Sequence, residues 1–432
     1  MQMIKKIKRI FLLTLSFLML GQVVLVAQTT DALGTYTPYS LFGIGDIERG
    51  GSSLNRGMGG IGVGVRDNRF INFTNPAAIT ERDTLSFMMD LGLYQKNFYN
   101  TDGKVKSAYN TFNMNNIVFT APIYKKSALI VGIVPYSNIG YKFETIELNQ
   151  KLVADYGEIK YQKYGEGGIS KFFLGAAMNL SKNISLGAEF IYYFGALDRY
   201  NNVLFASESS LRSIYSGWDY SIGAISSKLG LQYFGNVSED VQLTVGATYN
   251  LKTNLKGVLT DFTYVGADTI SNNVIEDAKI AIPSEFAAGF SLKKKDKWLL
   301  GFDYKMQDWK NSKWSDVSGS SIYTPAVASS YAIGGEFIPN KYDVRYYLKR
   351  VTYRMGLYYD KTYVNVNNGQ INAFGLTFGM SLPINRWYNA INWAVDFGQR
   401  GSLKNINVRE RYVQFQVNFS LHDIWFRKHR YD

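Results

Sequence analysis

Chemistry, if this chain performs any, rests on few residues. It has no cysteine and two histidines, His422 and His429, both close to the C-terminus. A thiol nucleophile is excluded, a histidine-based triad would draw on that tail alone, and no G-x-S-x-G elbow presents a serine. Gly57-x-Gly59-x-x-Gly62 matches the dinucleotide fingerprint as a string, with Glu81 19 residues beyond Gly62. Such a run cradles pyrophosphate only between a strand and a helix of one parallel unit, and neither pattern flanks it here. It reads instead as glycines that let backbone pass close to backbone. No catalytic residue, metal ligand or cofactor is expected.

Charge points to surfaces rather than to a reaction. The formal net charge is +12 over 432 residues. Lys5, Lys6, Lys8 and Arg9 precede an apolar run from Ile10 to Leu20, and Val26-Ala27-Gln28 offers a cleavage point after Ala27. That is the layout of a secretory signal peptide over residues 1–27. An exported chain does not meet nucleic acid, so anionic lipid or lipopolysaccharide is the expected partner. Lys293-Lys294-Lys295-Asp296-Lys297 reads as a solvated turn. Trp425, Phe426, Arg427 and Lys428 place aromatics beside cations in the tail 422–432, which suits an interfacial anchor or a docking peptide for another protein.

The elements that carry these residues are strands. From residue 83 to 421, segments of about ten residues alternate apolar with polar or small side chains, as in Val413, Phe415, Val417, Phe419 and Leu421 against Gln414, Gln416, Asn418 and Ser420. Fourteen starts are expected, near Thr84, Thr111, Ser127, Ile169, Ile184, Trp218, Val241, Ser284, Trp298, Ala326, Val351, Ile371, Trp387 and Val408. Connections after odd-numbered strands are expected to be long (141–168, 196–217, 252–283), those after even-numbered strands short, with 338–350 the exception. Loops sorted by parity, and tryptophans at strand ends (Trp218, Trp298, Trp309, Trp387, Trp425), are the pattern of an all-β, fourteen-stranded antiparallel transmembrane barrel. Mean hydropathy is slightly negative, which such a barrel allows because only every second residue meets lipid. Residues 28–82 differ: they are rich in glycine, alternate weakly and close on Asn75-Pro76-Ala77-Ala78.

On Arg56-Gly57-Met58-Gly59-Gly60, followed by Asn75-Pro76-Ala77 and then the first strand, the chain resembles the FadL family of outer-membrane fatty-acid and hydrocarbon channels. Tyr39-Ser40-Leu41-Phe42-Gly43-Ile44-Gly45-Asp46 and the Trp-Phe-Arg-Lys tail look like a Bacteroidetes-type branch of it. The resemblance implies an N-terminal hatch over residues 28–82 that plugs a barrel over 83–421, with Gly57, Gly59, Gly60, Asn75, Pro76 and Ala77 as its motif. It further implies a greasy pocket for a hydrophobic small molecule and release sideways through a kinked third strand. Pro135 is the candidate kink, because proline gives no donor to a ladder. Arg56, Arg66 and Arg69 are the hatch candidates for gripping a carboxylate. Passive uptake of hydrophobic molecules is the function expected. The alternative is a non-transporting barrel subunit that docks on a larger outer-membrane assembly, since FadL-like barrels of this branch also resemble the shuttle component of type IX secretion; an open porin is a third reading.

Overall fold

The computed structural model describes residues 33–82, 86–124, 127–206, 211–276, 280–313, 323–384, 389–403 and 408–424. The signal-peptide reading and the candidate tail residues Trp425 to Lys428 lie outside them. Contacts divide the chain into residues 1–33 and residues 34–432, and the second unit holds every strand among the described residues.

Fourteen antiparallel strands close into a barrel. Strand 1 is Ser86–Thr101 and strand 2 Lys106–Tyr124; strand 3 is Ser127–Asn138, continued by Tyr141–Ile146. Strands 4, 5 and 6 are Ile159–Asn179, Ile184–Phe205 and Ile214–Asn236. Strand 7 is Val241–Asn250 with Thr253–Val265, and strand 8 is Asp268–Ile275, Ile280–Ile282 and Glu285–Lys294. Strands 9 and 10 are Trp298–Asp308 and Val327–Phe337, the latter preceded by Tyr323–Pro325. Strands 11 to 14 are Thr352–Val366, Gly369–Pro383, Ala390–Arg400 and Arg409–Ile424. Strand 14 returns to strand 1 in an unbroken ladder from Ser86↔Ile424 to Thr101↔Arg409, so neither edge is left open.

The alternation faces the way a membrane demands. On strand 14, Gln414, Gln416, Asn418 and Ser420 are buried, whereas Phe415, Phe419 and Leu421 are exposed. Strand 11 does the same, with Arg354 and Tyr358 inside and Met355, Leu357 and Tyr359 outside. Each large apolar side chain left in water forgoes about 1.5–3 kcal/mol of burial. A belt of them around a closed wall is stable only under lipid.

Two expectations are corrected. The long connections are mostly strand: strands 4, 5 and 6 run for 21, 22 and 23 residues. At about 3.3 Å per residue these reach roughly 70 Å, whereas about 10 residues cross a membrane, so the sheet continues well past the bilayer at that end. The tryptophan girdle is only partial. Trp309 is fully buried and packs on Tyr363 with ring centroids 4.7 Å apart, and Trp218 lies under the Arg199 guanidinium against the inner core. Trp298 starts its strand on the outer face, while Trp387 and Trp425 lie outside the described residues.

Residues 34–82 sit within the wall and are almost wholly buried. Their regular structure is limited to short helical turns at Pro38–Leu41, Ser53–Arg56 and Pro76–Thr80 and the two-residue strand Asp46–Ile47.

Candidate functional site

The glycine run packs backbone on backbone. A side-chain carbon at Gly57 would lie 2.9 Å from the Cα of Gly379 on strand 12. Gly59, at φ 71°, would put one 2.7 Å from the Leu357 carbonyl oxygen and 3.0 Å from that of Ile333, on strands 11 and 10. Gly60 is also left-handed, at φ 90°. The Gly59 amide donates to Thr377 Oγ1 at 2.8 Å, and the amides of Gly62 and Val63 both donate to Asp303 Oδ2 at 2.7 and 2.8 Å. Asn75 caps the turn Pro76–Thr80 by accepting from the Ala77 amide at 3.0 Å, and its Nδ2 donates to the Val63 carbonyl at 2.9 Å. Pro76 and Ala77 lie against Gly187 and Gly230 of strands 5 and 6. Small residues in the segment thus meet small residues in the wall.

Charge fastens the same segment. Asp67, with no exposed side-chain surface, pairs with Arg69 and, at 2.7 Å, with Lys293 of strand 8; Arg69 also pairs with Glu336 of strand 10, which Arg354 reaches at 3.0 Å. Burial alone would raise the Asp67 carboxyl, but Arg69 and Lys293 hold it well below the usual carboxylate range. Asp46 follows the same logic: burial raises it, and Arg400 and Lys96 bring it below its ordinary value. Arg56 pairs with Glu48 at 3.3 Å and Arg66 with Glu81 at 2.9 Å. All three cations considered for gripping a substrate carboxylate are therefore engaged with acidic partners. Lys293 is likewise not a solvated turn lysine; it is part of this clamp.

The pairing of the wall breaks near the segment's start. Strand 2 pairs with strand 3 only from Tyr124↔Ser127 to Ile117↔Ile133, although strand 2 continues for eleven residues to Lys106 and strand 3 continues to Asn138 and beyond. Pro135 sits two residues past the last rung, where strand 3 also shifts register against strand 4 between Pro135 and Ser137. Past the break, strand 3 pairs instead with the N-terminal segment: Asp46↔Asn138, Ile47↔Ser137, and the Glu48 amide to the Tyr136 carbonyl at 2.9 Å. Gly34 to Tyr36 run alongside. The Tyr36 ring stacks on Tyr109 of strand 2 with centroids 4.6 Å apart, Asn113 Nδ2 donates to the Gly34 carbonyl at 2.8 Å, and a side chain at Gly140 would strike the Thr35 carbonyl.

A cavity of about 240 Å³ opens beside the break, lined in part by Val134, Pro135 and Tyr136. Its lining is mixed, apolar side chains alternating with charged ones. Asp46, Glu48, Arg49, Lys171, Lys228, Glu285, Lys305, Asp360 and Arg400 share its lining with Val63, Phe73, Ala287 and Tyr363. Lys228 Nζ donates to the Thr74 carbonyl at 2.6 Å, Arg400 reaches Asp46 at 2.8 Å, and Arg49 pairs with Asp360. Sequence reasoning passed over Lys171, Lys228, Lys305 and Glu285. Three of them carried a signal: Lys171, Lys228 and Glu285 are charged residues among apolar or small strand neighbours, and Lys228 falls on the inward set with Tyr220, Ile222, Ala224 and Ser226.

Comparison with solved structures gives the same architecture. The toluene transporter TbuX of Ralstonia pickettii superposes with a TM-score of 0.57 at 15% identity, covering 86% of this chain and 98% of its own. The toluene transporter TodX of Pseudomonas putida gives 0.55 at 15% identity, covering 89% and 100%. A FadL homologue of Pseudomonas aeruginosa gives 0.50 at 13% identity, covering 88% and 98%. At such identities the likeness establishes a FadL-like barrel fold. No curated protein sequence matches the chain. Residues 3–432 match the family model described as BamG, nearly the whole chain, and the protein belongs to the BamG family.

Proposed function

We propose that this protein is an outer-membrane barrel that passes hydrophobic or amphipathic molecules passively from its long-strand end into the bilayer, through the break between strands 2 and 3. The observation that supports it is the ladder that ends at Ile117↔Ile133 beside a cavity lined by Pro135. In outer-membrane barrels the short turns face the periplasm, so the strand ends at Ser86 and Ile424 are assigned to that side. The charged lining narrows the substrate class. A pure hydrocarbon would leave buried cations and carboxylates facing carbon, which is costly; a molecule with a polar or ionised end suits the cavity better. The test is uptake of fluorescent amphiphiles of graded head-group charge into vesicles carrying the purified barrel. Equal rates with and without the protein would end this reading.

One observation favours a second reading, a non-transporting subunit that docks on a larger outer-membrane assembly. Residues 34–82 are fastened by buried ion pairs and by glycine-to-glycine contact, so the barrel is filled rather than open. Gentle detergent extraction separates the two. A lone barrel with co-purified lipid favours transport; a stoichiometric complex favours the subunit.

A further inference from the structure

The segment between strands 10 and 11, residues 338–350, is the one long connection at the short-turn end among the described residues. It is folded. The Asn340 amide donates to the Lys349 carbonyl at 2.8 Å, Lys349 pairs with Asp343 at 3.3 Å, and Lys341 Nζ and Tyr342 Oη reach Asp296 of the adjacent turn at 2.7 and 2.8 Å. A folded polar loop would turn its apolar residues inward. This one turns them out: Val344 is 94% exposed and Leu348 68%, with Tyr342, Tyr346 and Tyr347 exposed beside them.

The loop's position says which solvent they meet. Tyr353 belongs to the outward, lipid-facing set of strand 11 with Met355, Leu357 and Tyr359, and its hydroxyl donates to the Leu348 carbonyl at 3.1 Å. Phe337, which leads into the loop, is also outward and exposed. The loop therefore continues the apolar belt instead of hanging under the lumen. Cations lie among its rings: Lys349 Nζ is 4.7 Å from the Tyr346 ring centroid and the Arg350 guanidinium 5.1 Å from that of Tyr347. Residues 341–350 hold four basic side chains (Lys341, Arg345, Lys349, Arg350) against Asp343 alone. Aromatic rings and cations around an apolar tip match the headgroup layer of an anionic leaflet, where rings sit at the interface and cations meet phosphate.

We propose that residues 338–350 are an interfacial anchor that inserts Val344 and Leu348 into the anionic leaflet at the short-turn end of the barrel. The anchor requires the barrel to span a membrane and is independent of what, if anything, the barrel transports.

The absence of cysteine makes the test direct. Val344→Cys carries an environment-sensitive fluorophore in the full-length protein, reconstituted into phosphatidylcholine vesicles with or without phosphatidylglycerol. Val105→Cys, exposed in the turn after strand 1 at the opposite end, is the reference. At position 344 the emission moves to the blue and is quenched by spin-labelled lipid more strongly than at 105, and phosphatidylglycerol strengthens both effects. Arg345→Gln and Lys349→Gln in the labelled protein each reduce the anionic preference by about fivefold, with barrel integrity read from heat-dependent gel mobility. A label at 344 as open to aqueous iodide as that at 105, in anionic vesicles, overturns the proposal. So does a label that becomes dry only in native membranes and never in lipid alone, which would assign the loop to a protein partner.

Discussion

Ile117 and Ile133 form the last rung between strands 2 and 3, and Pro135 stands two residues beyond it. Without an amide hydrogen, Pro135 gives no donor to a continued ladder. Pro135→Val restores that donor and a strand-forming side chain. If this break is the exit, the variant folds with the same heat-dependent gel mobility while amphiphile uptake into vesicles falls severalfold. Unchanged uptake would mean that molecules, if they cross, leave elsewhere.

Gly140 bears on the same opening from the other side. A side chain there meets the Thr35 carbonyl, so Gly140→Val must displace residues 34–36 from between strand 2 and the continuation of strand 3. The expected outcome is faster uptake, or new conductance in planar bilayers, together with faster proteolytic trimming of the N-terminal residues. A variant as closed as the parent would show that Gly34 to Tyr36 do not obstruct the break.

The wall was readable wherever one strand face meets lipid and the other the packed lumen. Strands 3, 5, 7 and 9 begin at Ser127, Ile184, Val241 and Trp298, as the alternation indicated. It failed where both faces are wet. Strand 4 begins at Ile159, ten residues ahead of the expected Ile169, because Lys160 to Gly168 stand beyond the membrane belt and carry no apolar stripe. Strands 2 and 6 start four to five residues early for the same reason. Trp309 misled differently: its place at a strand end is common to girdle and core, and only packing on Tyr363 decides between them. The charged cavity was legible only one residue at a time. Lys171, Lys228, Glu285 and Lys305 belong to strands 4, 6, 8 and 9, and nothing in the spacing says that they face one space until the barrel closes.

Asp303 holds the segment's backbone to strand 9 by accepting from both Gly62 and Val63. Asp303→Ala leaves two buried amides without their acceptor, at about 1–3 kcal/mol each. Hydrogen exchange at Gly62 and Val63 is expected to accelerate by one to several orders of magnitude, with the wall's own amides unchanged. Asp303→Asn retains one oxygen and should lose less. Equal acceleration in wall strands would mean that the substitution loosened the barrel as a whole.

Gly59 pairs a left-handed backbone with carbonyl oxygens on two strands, so Gly59→Ala meets both strain and steric overlap. Overpacking of this kind costs about 1–3 kcal/mol, to which the left-handed strain adds about 1 kcal/mol. The temperature at which the folded band converts to the unfolded one on gels should drop. Gly50, where an added carbon meets nothing within 4 Å, is the matched control, and Gly50→Ala should leave that temperature unchanged.

The Asp67 clamp sets a pH dependence whose sign its partners decide. Burial opposes the charge, yet Arg69 and Lys293 keep the carboxyl well below its ordinary value. The native carboxyl therefore titrates below the unfolded one, whose value is about 3.9. Its contribution is complete above the unfolded value and is lost as pH falls through the native one. Asp67→Asn removes that charge at every pH and leaves Lys293 and Arg69 with a buried partner missing, a change that costs about 3–5 kcal/mol when buried pairs are broken. Parent and variant should thus differ by a constant shift in gel-mobility transition temperature from about pH 8 down to about pH 5, and converge only in stronger acid. Convergence near neutral pH would show that the pairs with Arg69 and Lys293 do not carry the attachment.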